Sequence, residues 1–279
     1  MRYSIALVAI AAILVVTPVL GQGGSYGFNM ILEPAAIAYE PSIGTGSGSV
    51  GIDLVQNLSP GVVPVTVQGF SLALSHDVSF LTVASVEPGA HLQSFGPDFF
   101  QPTLVAGGFT VGCVYSYIGA EDFTYEIQQE LAIVTYNTVP ASLVGDIDGA
   151  EAALTWTMSP GDSTGAVLTA GTAIAAMTTD GSVTLTAIRF RRGDCNADAL
   201  FDVADPIALL GALFVAGTVG PGCPDACDVN DDGLVNIADA VYSLSALFSP
   251  GSPPPVAPHP DCGSDSTADG LGCSPAPCL

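Results

Sequence analysis

The chain contains no lysine, and its basic side chains amount to four arginines against 27 acidic residues. One of these, Arg2, stands at the N-terminus, and the other three (Arg189, Arg191 and Arg192) fall within four positions of one another. A chain with a formal net charge of −23 is repelled by phosphate backbones and has no basic surface with which to release counterions. Nucleic-acid binding and docking on an anionic membrane are therefore excluded. Cys-x₂-Cys is also missing and the three histidines are scattered, which argues against zinc. After the first twenty or so residues no apolar run is long enough to span a bilayer of about 20 residues' depth. With 279 residues, 49% of them apolar, the chain is too hydrophobic to be disordered throughout.

What is present first is an export pattern. Met1-Arg2 precedes an apolar run from Ile5 to Val16, then Pro18 and small residues at Gly21, Gly23 and Gly24. A positive start, a short hydrophobic stretch and a small-residue exit mark residues 1–21 as a signal peptide, and the mature protein is expected to be secreted or held at the cell surface. Export makes the seven cysteines candidates for disulfides.

Composition changes near residue 190. Residues 25–188 hold one cysteine, Cys113, and the single tryptophan. There, apolar and small or polar residues alternate in 50–55, 70–75, 154–158 and 183–186, with turn pairs such as Pro60-Gly61, Pro88-Gly89 and Asp180-Gly181 between runs. Alternation with period two is the mark of half-buried strands, so eight or nine short strands in a β-sandwich or jelly roll are expected. Cys113 falls on the apolar face of one run and is expected to be a buried free thiol. The Arg-Phe-Arg-Arg-Gly run at 189–193 marks the seam, as a hinge or as a patch docking on acidic neighbours. Residues 249–279, rich in Pro, Gly and Ser, read as loop and not core.

Beyond the seam lies an internal repeat. Residues 194–214 and 228–248 align at an offset of 34 with ten of 21 positions identical, so one supersecondary unit is used twice. Each copy opens with oxygen-bearing side chains at positions 1, 3, 5, 9 and 12 of a twelve-residue loop: Asp194, Asn196, Asp198, Asp202 and Asp205, then Asp228, Asn230, Asp232, Asn236 and Asp239. Hard oxygens at alternate positions of a coiled loop suit Ca²⁺, and the position-7 residues Leu200 and Leu234 would add backbone carbonyls. Two calcium ions are expected. An apolar helical stripe follows each loop, at Ile207, Leu210, Leu213 and Phe214 and at Val241, Leu244, Leu247 and Phe248, and the two stripes are expected to pack together. Neither half has enough core alone, so metal is expected to supply much of the folding energy.

This duplicated unit resembles a type I dockerin module, over about residues 193–248. The resemblance implies a shortened EF-hand-like all-α fold with two calcium ions that recognises a cohesin, a β-sandwich partner. It also implies contact through loop positions 10 and 11, here Val203, Ala204, Ile237 and Ala238. Two departures stand out. Loop 1 has Ala199 where loop 2 keeps Gly233, and six cysteines lie in this part of the chain. Three pairs are expected: Cys262–Cys273 closing a short loop, Cys195–Cys227 joining the two calcium loops, and Cys223–Cys278 by elimination. More faintly, residues 68–77, 80–83, 86–89 and 130–136 are similar to cohesin strands, which places the N-terminal part near carbohydrate-binding sandwiches.

The expected organisation is a signal peptide (1–21), a mainly β, cohesin-like sandwich (25–188), a hinge (189–193), a dockerin-like calcium module (193–262) and a Cys/Pro/Gly-rich tail (263–279). The expected role is non-enzymatic assembly, with a cohesin-like protein or the chain's own sandwich as partner and a link to polysaccharide. The alternative is a sugar-binding sandwich with the calcium module as attachment device. Ser75-His76-Asp77 is not a triad, because strand geometry sends neighbours to opposite faces. Glu121, Asp122, Glu126 and Glu130 could supply a carboxylate pair for glycoside hydrolysis, and Phe99, Phe100, Tyr115, Tyr117 and Tyr125 a sugar platform, but exposed acids and core aromatics account for them as well.

Overall fold

The alternating segments do form strands. In the computed structural model, which describes residues 26–118, 123–125, 127–140, 148–157, 165–217, 220–273 and 278, the first part holds thirteen strands. They are β1 (Tyr26–Leu32), β2 (Ala35–Glu40), β3 (Thr45–Leu58), β4 (Gly69–His76), β5 (Leu81–Pro88), β6 (Phe99–Val105), β7 (Gly108–Val114), β8 (Gln129–Thr138), β9 (Ala150–Trp156), β10 (Gly165–Thr169), β11 (Thr172–Ala175), β12 (Met177–Thr178) and β13 (Gly181–Ala187). The single-turn helix α1 (Ala90–Gln93) follows β5. Thirteen strands exceed the eight or nine expected. β11 and β12, of four and two residues, are too short to show a period, and Glu33-Pro34 alone separates β1 from β2.

Two faces enclose one core. One runs β12-β1-β3-β8-β5; the other carries β2, β13, β9, β4, β7 and β6, with β10 and β11 beside β4. Strand β3, fourteen residues long, joins them: its first residues pair with β2 and the rest with β1 and β8. Such a crossing needs close backbone approach, and a Cβ at Gly46 would stand 2.4 Å from the Ala38 carbonyl oxygen. Val50, Ile52 and Leu54, Phe70, Leu72 and Leu74, Leu154 and Trp156, and Val183 and Leu185 all point into this core, as their alternation predicts. Trp156 is anchored there by its Nε1–H, which donates to the Thr179 carbonyl oxygen at 3.0 Å.

Cys113 is buried on β7 and unpaired, as expected. Burial pushes its thiol up to about 12. Only the thiolate is a nucleophile. Iodoacetamide is therefore expected to leave the native chain unlabelled at pH 8 and to add one group after unfolding in denaturant without reductant; labelling of the native chain, read by mass spectrometry, would contradict this burial.

The second part holds α2 (Ala204–Phe214), the one-turn α3 (Pro224–Cys227) and α4 (Ile237–Phe248), with α2 packed on α4. Its cores are small: Leu209, Cys227 and Ala240 between the helices, and Phe190, Cys223, Ala226 and Cys273 nearer the sandwich. No helix among the described residues is long and apolar enough to cross a membrane.

The disulfides are Cys195–Cys227, Cys223–Cys273 and Cys262–Cys278. The first pair is the expected one; the other two correct the expected Cys262–Cys273 and Cys223–Cys278. The reason lies in residues 257–273, which fold back over the seam instead of trailing away. Phe190 bridges to Gly263, the Arg192 N–H donates to the Pro258 carbonyl, and Cys273 is drawn into the core beside Phe190. The segment is irregular, as composition predicts, but it is part of the core, which the sequence reading did not allow.

Candidate functional site

The two loops repeat their hydrogen bonds almost bond for bond. In loop 1 the Asp194 carboxylate accepts from the N–H groups of Asp198 (3.0 Å) and Ala199 (2.9 Å); in loop 2 Asp228 accepts from Asp232 (3.1 Å) and Gly233 (2.8 Å). The position-12 carboxylates close the loops from the other end. Asp205 accepts from Asp202 (2.8 Å) and Asn196 (3.3 Å), and Asp239 from Asn236 (2.9 Å) and Asn230 (3.4 Å). Asp198 and Asp232 accept from Leu200 (2.9 Å) and Leu234 (3.1 Å). Of the position-9 side chains, Asn236 caps α4 by taking the Ala238 N–H, and Asp202 takes the Ala204 N–H at the start of α2, each at 2.7 Å.

Each loop is therefore coiled by its own carboxylates, with backbone N–H groups as donors. The donor set that results is oxygen throughout, the chemistry of a hard divalent cation. Asp205 and Asp239 are buried, and burial is the main cause that raises both carboxyls, Asp205 to about 6. Neighbouring negative charge adds to this: Asp194 and Asp198 at Asp205, and Asp228 at Asp239. Buried, mutually repelling carboxylates of this kind fit a cation.

Positions 4 and 6 of both loops are left-handed: Ala197 (φ 60°) and Ala199 (φ 68°), Asp231 (φ 58°) and Gly233 (φ 78°). Glycine tolerates this conformation freely, whereas alanine is strained in it by about 1 kcal/mol. Arg191 donates to the Ala199 carbonyl oxygen and holds the turn. Ala199→Gly is expected to relax loop 1, tightening its calcium affinity up to about fivefold and adding no more than about 1 kcal/mol of stability. Calorimetric titration of the full chain checks it; weaker binding in the variant would show that Ala199 is not strained.

The helical stripes divide in a way the periodicity does not show. Leu210 and Leu213 pack against the inter-helix core, but Ile207 (62% exposed), Phe214 (67%), Val241 (57%) and Phe248 (66%) face outward, which corrects the expectation that the whole stripes meet. The buried positions are instead Asp205, Pro206 and Leu209 on α2 and Asp239, Ala240 and Ser243 on α4. Among the residues that the dockerin resemblance assigns to a partner, Val203, Ile237 and Ala238 are exposed and Ala204 is half-buried. Leu200 and Leu234 are exposed too.

Of the two expectations for residues 189–193, docking matches the structure and a free hinge does not. The Arg192 side chain is fully buried. It donates to the carbonyl oxygens of Ala257 (2.9 Å), Asp225 (3.1 Å) and Asp228 (2.7 Å) and pairs with Asp265 (2.8 Å) and Asp231 (2.9 Å). The arginine run beside an acidic module was the one signal pointing here; which arginine, and which acids, was not readable.

Among the described residues the candidate catalytic side chains do not assemble. Ser75 Oγ donates to the Thr155 carbonyl, the His76 ring packs edge-on against Tyr136, and Asp77 accepts from the Ser79 N–H. Glu130 accepts from the Ala90 N–H at 2.8 Å, whereas Glu121, Asp122 and Glu126 lie outside the described residues. Tyr115 and Tyr125 are core residues, hydroxyl to hydroxyl at 2.5 Å, and are lost to any sugar platform; Phe99 and Tyr117 are exposed and Phe100 is half-buried.

No family model matches the chain, and no curated protein does. Among solved structures it is similar to a cohesin in a type I cohesin–dockerin complex from Clostridium thermocellum (16% identity, TM-score 0.46, covering 60% of this chain and 98% of that one). It is also similar to the sixth cohesin of scaffoldin B from Acetivibrio cellulolyticus, solved with a dockerin (16%, 0.41, covering 57% and 99%). A non-cellulosomal cohesin from the archaeon Archaeoglobus fulgidus is similar as well (15%, 0.38, covering 57% and 91%). Likenesses this distant assign neither partner nor activity to the chain.

Proposed function

We propose that this chain is an exported, non-enzymatic assembly protein whose repeat binds two calcium ions and docks on a cohesin-like β-sandwich. Asp194, Asn196, Asp198, Asp202 and Asp205 would hold one ion and Asp228, Asn230, Asp232, Asn236 and Asp239 the other, with the carbonyls of Leu200 and Leu234 completing each set. The observation that carries the docking reading is a symmetry. Four repeat-equivalent apolar pairs, Leu200/Leu234, Val203/Ile237, Ile207/Val241 and Phe214/Phe248, are all exposed. Apolar residues turned outward at matching positions of both loop–helix units present two similar faces, and apolar surface of this kind marks protein contacts. Calcium would order the loops that set the helices in place.

The partner is either a separate cohesin-like protein or the sandwich of a second copy. A head-to-tail contact that does not close would build chains of molecules. Sedimentation of the full oxidised chain is expected to show concentration-dependent association in millimolar calcium and its loss in chelator. A panel of recombinant cohesins tests the separate partner. Because either face can serve, Ile207→Asp alone is expected to leave binding within about threefold, and Ile207→Asp with Val241→Asp to abolish it while changing stability by less than about 0.5 kcal/mol. A chain that stays monomeric and binds no cohesin in calcium contradicts the docking reading.

A further inference from the structure

Two tight carboxylate groups occur among the described residues, one of them made wholly of residues outside the two loops. One oxygen each of Asp225, Asp265 and Asp269 lies within 4.8 Å of the others, and Asp269 also belongs to a similar group with Asp228 and Asp231. The first group joins α3 to the returning C-terminal segment. Asp225 is 1% exposed and Asp265 5%. Acidic groups often gather without a ligand, so the state of Asp225 decides. Its Oδ1 is buried without any hydrogen-bond partner. Its Oδ2 meets Cys273 Sγ at 3.8 Å, and that sulfur is in a disulfide and carries no proton to donate. A fully buried carboxyl that no donor reaches is a costly arrangement unless a cation or a proton completes it.

The surroundings repeat the pattern. Glu40 on β2 is 7% exposed and its Oε2 is likewise buried and unpartnered. It is near enough for its charge to raise the Asp225 carboxyl, and for those of Asp265 and Asp269 to raise its own, though burial is the larger cause in both. Asp269 Oδ2 is a third buried oxygen without a partner. Arg192 is the only cationic side chain that pairs with these acids among the described residues, and it is already shared between Asp231 and Asp265. Asp225, Asp228, Asp231, Asp265, Asp269 and Glu40, six acids, thus have one guanidinium among them.

We propose that Asp225, Asp265 and Asp269 form a third calcium site, beside loop 2 and distinct from its ligand set, at the junction of α3, the C-terminal segment and the Glu40 end of β2. The three oxygens lie within 4.8 Å of one another, and two ligands of one Ca²⁺ ion stand no further apart than about 4.8 Å, twice the ion–oxygen distance of about 2.4 Å, so the group is compact enough to close on one ion. The donors are carboxylates only, which selects a hard cation; the neighbouring Cys223 and Cys273 are tied to each other and offer no thiolate. An ion here would hold the C-terminal segment against α3 beside β2, making the junction between sandwich and repeat dependent on calcium.

Calcium counted by native mass spectrometry on the full oxidised chain tests this independently of the loop reading. Three ions are expected in the unaltered chain, two in Asp225→Asn, and one in a variant with both loops disabled by Asp198→Ala and Asp232→Ala. Asp269→Asn is a second route to the same loss if Asp225→Asn misfolds by circular dichroism. Two ions in the unaltered chain, both lost with the loops and neither with Asp225, would overturn the site and leave the loops standing. One ion, lost with Asp225 alone, would keep the site and overturn the loops. Calcium uptake unchanged in both the Asp225 and the Asp269 variants would mean that a proton, not a metal, completes Asp225.

Discussion

Arg192→Met is expected to destabilise the C-terminal part by about 3–5 kcal/mol in low calcium, a large share of the stability of an ordinary domain. The side chain is fully enclosed, and its loss strands five acceptors at once: three carbonyls and the carboxylates of Asp231 and Asp265. Methionine fills much of the volume but returns no charge, so buried acids would face one another uncompensated. Two segments distant in sequence, 225–231 and 257–265, lose their common anchor in the same step. Urea denaturation followed by circular dichroism at 222 nm reads the helices of this part, because the sandwich contributes mainly strand signal. A loss under about 1 kcal/mol would mean that the acids around Arg192 are neutral in the folded chain.

The second large effect is expected from Cys195→Ser with Cys227→Ser. This disulfide closes a loop across a sequence separation of 32, which the chain-entropy account values at about 3–4 kcal/mol. It joins position 2 of loop 1 to the residue before loop 2, and Cys227 is a third of the small core it forms with Leu209 and Ala240. So small a core cannot hold two helices by itself. The pair variant is expected to lose most of its helical signal in chelator and to regain it in millimolar calcium, since ions that bind only the folded loops stabilise by mass action. Full helicity in chelator would show that the two remaining disulfides suffice. The sandwich, whose core lies elsewhere, is expected to keep its own transition unchanged.

Much of this protein is legible in its residues, for local reasons. Alternation in β3, β4, β9 and β13 predicts which side chains enter the sandwich, because period two is a property of the extended chain itself. The loops read equally well: their oxygen-bearing residues hydrogen-bond to backbone two to ten positions away, within the same twelve residues, so spacing alone implies the coil, and the two loops fold alike because their sequences do. The strain at Ala199 was readable from its missing glycine.

What depended on tertiary structure is whatever joins segments far apart. Two of the three disulfides differ from the pairing expected because nothing in the spacing of Cys223, Cys262, Cys273 and Cys278 says that a Pro- and Gly-rich segment turns back onto α3. The helical stripes predicted apolar faces, but which residues of each stripe meet the other helix depends on the angle at which α2 and α4 cross. Arg192 and the acids around it come from 190–193, 225–231 and 257–269, with Glu40 from the sandwich. Charges so placed are invisible as a group along the chain. Folding brings them together at a distance where burial, and not sequence separation, sets how strongly they interact.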